Sequence, residues 1–100
     1  MSVGLVEASI TAQNTGTDAI KVGARELNAV ADYVTGTFVA TVHLQRRFID
    51  NGTTGNWIDV ESTVSNFNKN IIEIEDEVEF RLFCKTGNFT SGTGYLRLSY

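Results

Sequence analysis

The chain has 100 residues, 42% of them hydrophobic and 10% aromatic, with a net charge of −4. That is one domain with one modest core, and it is not the composition of a disordered chain. The scattered Lys and Arg residues form no basic stripe, which argues against nucleic-acid binding, and no apolar run is long enough to span a membrane as a helix. A single cysteine, Cys84, cannot form an internal disulfide, and the first residues lack the charged and apolar regions of a signal peptide, so folding in a cytoplasm is expected.

Residues 3–12 form an irregular but β-compatible stretch, Gln13 to Gly16 a turn, and Thr17 to Val22 a short strand. Ala24–Val34 fits two periods. Leu27, Val30, Ala31 and Val34 have helical spacing, whereas Leu27, Ala29, Ala31 and Tyr33 alternate as in a strand; β signals on both sides favour strand. Residues 37–48 read as one long central strand, with Phe38, Ala40, Val42 and Leu44 on one face and Thr41, His43, Gln45 and Arg47 on the other. Asp50, Asn51 and Gly52 open a reversal, and Trp57 starts the return strand over 57–63. Residues 64–70 read as a polar loop, 71–74 as a short strand and 75–77 as a charged turn. Val78–Lys85 alternates, with Val78, Phe80, Leu82 and Cys84 on one face; 86–94 is expected to be a loop, and 95–100 the last strand. Such closely spaced strands predict an all-β fold, a sandwich or jelly roll of roughly 7–8 antiparallel strands over residues 1–100. Residues 1–12 are expected as an extended segment that would contact a neighbour.

Few residues suggest chemistry. His43 and Cys84 are unique in the chain, but a nucleophilic pair needs contact and an orienting group. Strand parity turns His43 away from the core and buries Cys84 as a small apolar residue. His43 then belongs to an exposed face or an interface. Glu73, Glu75, Asp76, Glu77 and Glu79 form an acidic run that reads as a solvated edge, with alternation sending Glu73, Glu75, Glu77 and Glu79 to one side. Asp50 and Gly52 before Trp57 resemble the Asp-box turn of sialidase-like propellers, but one copy in a hundred residues is a structural turn. No complete catalytic constellation is visible, so no enzyme activity, cofactor or metal is expected.

Three pieces of the chain together resemble the small structural proteins of tailed bacteriophages. They are Gly36 to Phe48 with its Leu44-Gln45-Arg46; Asp50 to Gly52 followed by Trp57 and Val60; and Phe80-Arg81-Leu82, then Ser91-Gly92-Thr93 and Leu96-Arg97-Leu98. The likeness runs over residues 25–100. The stretch between Gly52 and Trp57 is longer than in that pattern. The resemblance implies a virion protein assembled in the bacterial host cytoplasm, a decoration or cement protein of the capsid surface. As partners it implies copies of the same chain, as a homotrimer, and the major capsid protein lattice or another virion protein. The alternative is a receptor- or glycan-binding module of a head or tail fibre. Partner contacts are expected at Val3, Leu5 and Val6 of the N-terminal segment, at the aromatics Trp57, Phe89 and Tyr95, and at Glu75 and Glu77.

Overall fold

A computed structural model describes residues 4–33, 38–50 and 53–100. The chain is all-β and antiparallel, without a helix among the described residues. Among the described residues twelve strands follow one another: β1 Leu5–Ile10, β2 Thr15–Gly16, β3 Ile20–Val22, β4 Glu26–Asp32, β5 Val39–Ala40, β6 Val42–Asp50, β7 Thr53–Thr54, β8 Ile58–Thr63, β9 Phe67–Ile72, β10 Val78–Cys84, β11 Phe89–Ser91 and β12 Gly94–Ser99. Seven of these have six residues or more and build the sandwich expected from the sequence.

The first sheet runs β1-β12-β4-β9. In the second, β10 lies between β6 and the short strands β2 and β3, and β6 carries β8 on its far side and β7 at its end. The inner faces follow from alternation. Leu27, Ala29 and Ala31 of β4 and Leu96 and Leu98 of β12 are buried against Val42 and Leu44 of β6 and Val78, Phe80, Leu82 and Cys84 of β10. Ile10, Ile20 and Val22 complete the core, with Val6 and Ala8 packed against it. Small alanines on β4 face large residues opposite, which lets the two sheets interdigitate. Cys84 is fully buried and its thiol is pushed up by that burial, so the apolar reading of this residue holds.

Several local expectations are corrected. The segment 37–48 is not one strand. It breaks at Thr41, whose N–H donates to the Asn88 carbonyl, and the piece before the break, β5, pairs with β11 instead of continuing the β6 ladder. The loop expected over 86–94 therefore contains a strand. The loop expected over 64–70 is mostly β9, because Asn28 of β4 donates its side-chain amide to both Asn68 and Asn70 across the ladder, at 2.8 Å each. These asparagines stay polar and outward while Phe67 and Ile71 pack inward. Ala24–Val34 resolves as strand over β4; its residue Val34, and the Asn51-Gly52 reversal, lie outside the described residues. Residues Leu5–Ile10 form an ordinary strand, paired along their length with β12 of the same chain.

Tyr33 ties the layers together. Its hydroxyl lies 2.9 Å from the carbonyls of both Ala40 and Thr63, and its ring packs on Phe38 with centroids 4.7 Å apart. Burial pushes this phenol up to about 12. At the other edge Gly16 has no room for a side chain, since a Cβ would stand 2.2 Å from the Leu82 carbonyl oxygen. Thr17 then replaces ladder geometry with side-chain bonding: its hydroxyl accepts from Leu82 N–H at 3.1 Å. Gly16→Ala is expected to cost about 1–3 kcal/mol, because the obstructing atom is backbone. Gly55→Ala, where the nearest atom stands at an ordinary 3.6 Å, should change stability far less. Urea unfolding of the two variants checks this.

Candidate functional site

Among the described residues, one open side of the molecule is where β8 and β9 lie. Each is the outermost strand of its sheet there, so two free strand edges run along one flank of the sandwich. The cause is the parity of β9. Phe67 and Ile71 pack inward, the exposed Lys69 shares their parity, and the next position of that parity falls on the buried Glu73. Ile72 and Ile74 are thereby forced outward.

Glu73 is held inside by Arg46, the inward-facing residue of β6 two positions beyond Leu44. Arg46 Nε donates to Glu73 Oε1 at 2.5 Å and Nη2 to Oε2 at 2.8 Å, a two-pronged pair, with the guanidinium also over the Phe48 ring. Glu75 N–H donates to Glu73 Oε2 at 2.8 Å, and Glu73 N–H donates to the Arg25 carbonyl. Arg46 holds the Glu73 carboxyl below its ordinary value; burial works against this, and backbone donors at Glu75 and Ile74 assist it. A second pair, Lys69 with Glu61 at 2.8 Å, bridges β9 to β8 farther along. Inward charges on edge strands of this kind oppose indiscriminate strand pairing.

Between these pairs and the free edges lies a groove of about 390 Å³, with Phe80 and the Arg46–Glu73 pair among its lining and Ile58, Val60, Ile71, Ile72 and Ile74 as its apolar residues. Ile58 is 56% exposed, Val60 49%, Ile72 75% and Ile74 81%. Burying an isoleucine is worth about 1.5–3 kcal/mol, so four large aliphatics left in water on one flank forgo a large part of the stabilisation available to so small a domain. Contiguous exposed apolar surface of this kind marks an interaction site.

At one end the groove meets the turn Glu75, Asp76 and Glu77. Glu77 pairs with Lys21 at 3.2 Å, whereas Glu75 and Asp76 have no ion-pair partner among the described residues. The expected one-sided acidic edge is therefore corrected. Glu73 is buried in its pair, Glu79 lies on the outer face of the second sheet bonded to Arg47, and the solvated carboxylates are those of the turn.

The outer face of the second sheet carries a different arrangement. Trp57 lies 4.3 Å from the Arg47 guanidinium and 4.4 Å from that of Arg81, which also covers Phe83 at 3.9 Å. Arg81 Nε donates to Gln45 Oε1, Gln45 Nε2 donates to Asp59, and Lys85 pairs with Asp59. Lys85 and then Gln45 hold the Asp59 carboxyl below its usual range. Burial lowers Arg81, with Arg47 adding to the effect. His43 faces this outer side, as expected, and Cys84 the core, so one sheet separates the two residues of the candidate nucleophilic pair.

The residues expected to bind a partner do not converge. Val3 lies outside the described residues. Leu5 is exposed at the far edge of the first sheet, Val6 is half-buried against the core, and Tyr95 lies on that sheet's outer face with its hydroxyl donating to Glu7. Phe89 packs near Phe38, Trp57 is on the opposite sheet, and Glu75 and Glu77 line a separate cavity with Phe48 and Asp76, just beyond the groove's Ile74 in the chain. The groove's own residues, Ile58, Val60, Ile72 and Ile74, escaped the sequence reading. Their signal is the run Ile71-Ile72-Glu73-Ile74, in which alternation puts either the glutamate or the isoleucines on the wrong side. No family model, curated protein or solved structure matches the chain.

Because the folded Glu73 carboxyl is depressed, its contribution is complete above the unfolded value and is lost as pH falls through the folded one. Wild-type stability should therefore decline as pH drops below about 5, and Glu73→Gln should decline less over the same range. At neutral pH the variant should be less stable by roughly 2 kcal/mol, under the usual cost of breaking a fully buried pair because Arg46 keeps some water contact. Urea titrations at several pH values measure both.

Proposed function

We propose that this protein is a virion structural component of a tailed phage, a capsid decoration or cement protein that acts by docking on other protein chains. The observation that carries the reading is the open flank, where four exposed aliphatics line a groove beside two free strand edges. A cement protein needs a rigid scaffold and an adhesive edge and no reacting group, and both are available here. The sequence resemblance over residues 25–100 points to the same class. In this reading the chain is a homotrimer seated on the major capsid protein lattice, with the open flank turned toward the lattice.

The glycan-binding alternative has less support. Sugar binding would need aromatic faces grouped in one groove. Trp57 is covered by the guanidinium groups of Arg47 and Arg81, and Tyr95 lies on the outer face of the other sheet.

Light scattering of the purified protein, alone and mixed with undecorated heads of the phage that encodes it, tests the proposal. A trimer that leaves the free pool when heads are added is expected. The double variant Ile72→Glu with Ile74→Glu should remain a folded trimer and stay in the free pool. A wild-type monomer that ignores heads would overturn the reading.

A further inference from the structure

The groove's chemistry says more about its occupant than that it is a protein. We propose that it takes an extended segment of a partner chain in which aliphatic side chains alternate with Lys or Arg, laid along the open flank so that the aliphatics enter the groove and a cation meets Glu75 and Asp76. The inference rests on the docking reading above and specifies the partner surface it requires.

Three observations converge on this occupant. The walls are aliphatic, from Ile58, Val60, Ile71, Ile72 and Ile74, and the volume of about 390 Å³ suits a few branched side chains better than a helix. The free edges of β8 and β9 offer main-chain donors and acceptors, which an extended segment satisfies and a helix does not. The cations near the groove are already answered, Arg46 by Glu73, Lys69 by Glu61 and Lys21 by Glu77, whereas Glu75 and Asp76, which follow Ile74 in the chain and line a neighbouring cavity with Phe48 and Glu77, have no ion-pair partner among the described residues. Glu75 also acts on Arg46 through space, which places its charge close to the groove. A second copy of this chain fits less well, because two identical flanks would bring Glu75 and Asp76 of one copy toward acidic residues of the other in a chain of net charge −4.

The parity of β9 strengthens the case. A sequence that exposes Ile72 and Ile74 and buries Glu73 breaks the local rule of apolar inside and polar outside. Such breaks concentrate at functional positions.

The test uses the full chain and three fluorescent peptides of about eight residues, a usual strand length: alternating isoleucine and lysine, alternating isoleucine and glutamate, and alternating serine and lysine. Fluorescence anisotropy should show the first binding roughly tenfold or more tighter than either of the others. Ile72→Glu with Ile74→Glu should abolish that binding while leaving the circular dichroism spectrum unchanged. Glu75→Gln with Asp76→Asn should weaken it several-fold, and Asp18→Asn with Glu7→Gln, two exposed acids away from β9, should not. Equal binding of the lysine and glutamate peptides, or equal loss with both pairs of acid variants, would overturn the charge assignment. Absence of binding by any peptide would overturn the inference, and would leave the docking reading standing if the isoleucine variants still fail to bind heads. An oligomer that dissociates on Ile72→Glu with Ile74→Glu would show that the groove holds a second copy, and would overturn it too.

Discussion

The Arg46–Glu73 pair governs the shape of the open flank. A guanidinium pointing inward from β6 needs a counter-charge, and Glu73 can supply it only if β9 presents its odd-numbered residues to the interior. Once that parity is chosen, Phe67 and Ile71 pack on the core, and Ile72 and Ile74 have nowhere to go but outward. Slipping the strand by one residue would hide Ile72 and Ile74, turn Phe67 and Ile71 out, and strand both charges, Arg46 inside and Glu73 in water. The ion pair and the packing of Phe67 and Ile71 thus hold one parity, and the apolar character of the flank follows from it.

The two surfaces of the second sheet contrast in this respect. On its outer face the charges answer one another: Arg47 has Glu79, Lys85 has Asp59, and Gln45 links Asp59 to Arg81. Trp57 and Phe83 are covered by guanidinium groups, so the large aromatics of that face are already in use. At the flank four aliphatics stay exposed, and the turn beyond Ile74 carries Glu75 and Asp76, which have no ion-pair partner among the described residues. A partner therefore gains more by seating at the flank than on the broad face.

The fold class was legible because strand alternation is strongest where both neighbours are present. Val78 to Cys84 reads almost residue for residue as it folds, since β10 is the central strand of its sheet. Legibility fell at the edges. Residues 67–70 look like loop because Asn68, Lys69 and Asn70 are polar, and only their pairing with Asn28, distant in sequence, reveals a strand. The break at Thr41 was hidden for a related reason. Phe38 to Leu44 keeps an even alternation straight through it, and the change of ladder is set by β11, a short strand within a stretch of loop composition. The groove escaped because Glu73 needed a partner 27 positions away, and a sequence read locally assigns an acidic residue to water.

The order of the first sheet bears on how the protein is made. Its strand β12, the last of those described, lies between β1, the first of them, and β4. During synthesis β1 and β4 emerge before β12, yet neither pairs with the other in the finished sheet, and the strand that joins them follows every other described strand. The sheet cannot close strand by strand behind the growing chain. The β4–β9 ladder needs no later residue, but the two ladders of β12 form only once residues 94–99 are free, in a late and largely non-local step of the kind that makes all-β proteins slow to fold. Until then the apolar sides of β1 and β4 wait uncovered, and a chaperone that shields extended apolar segments would find its substrate there.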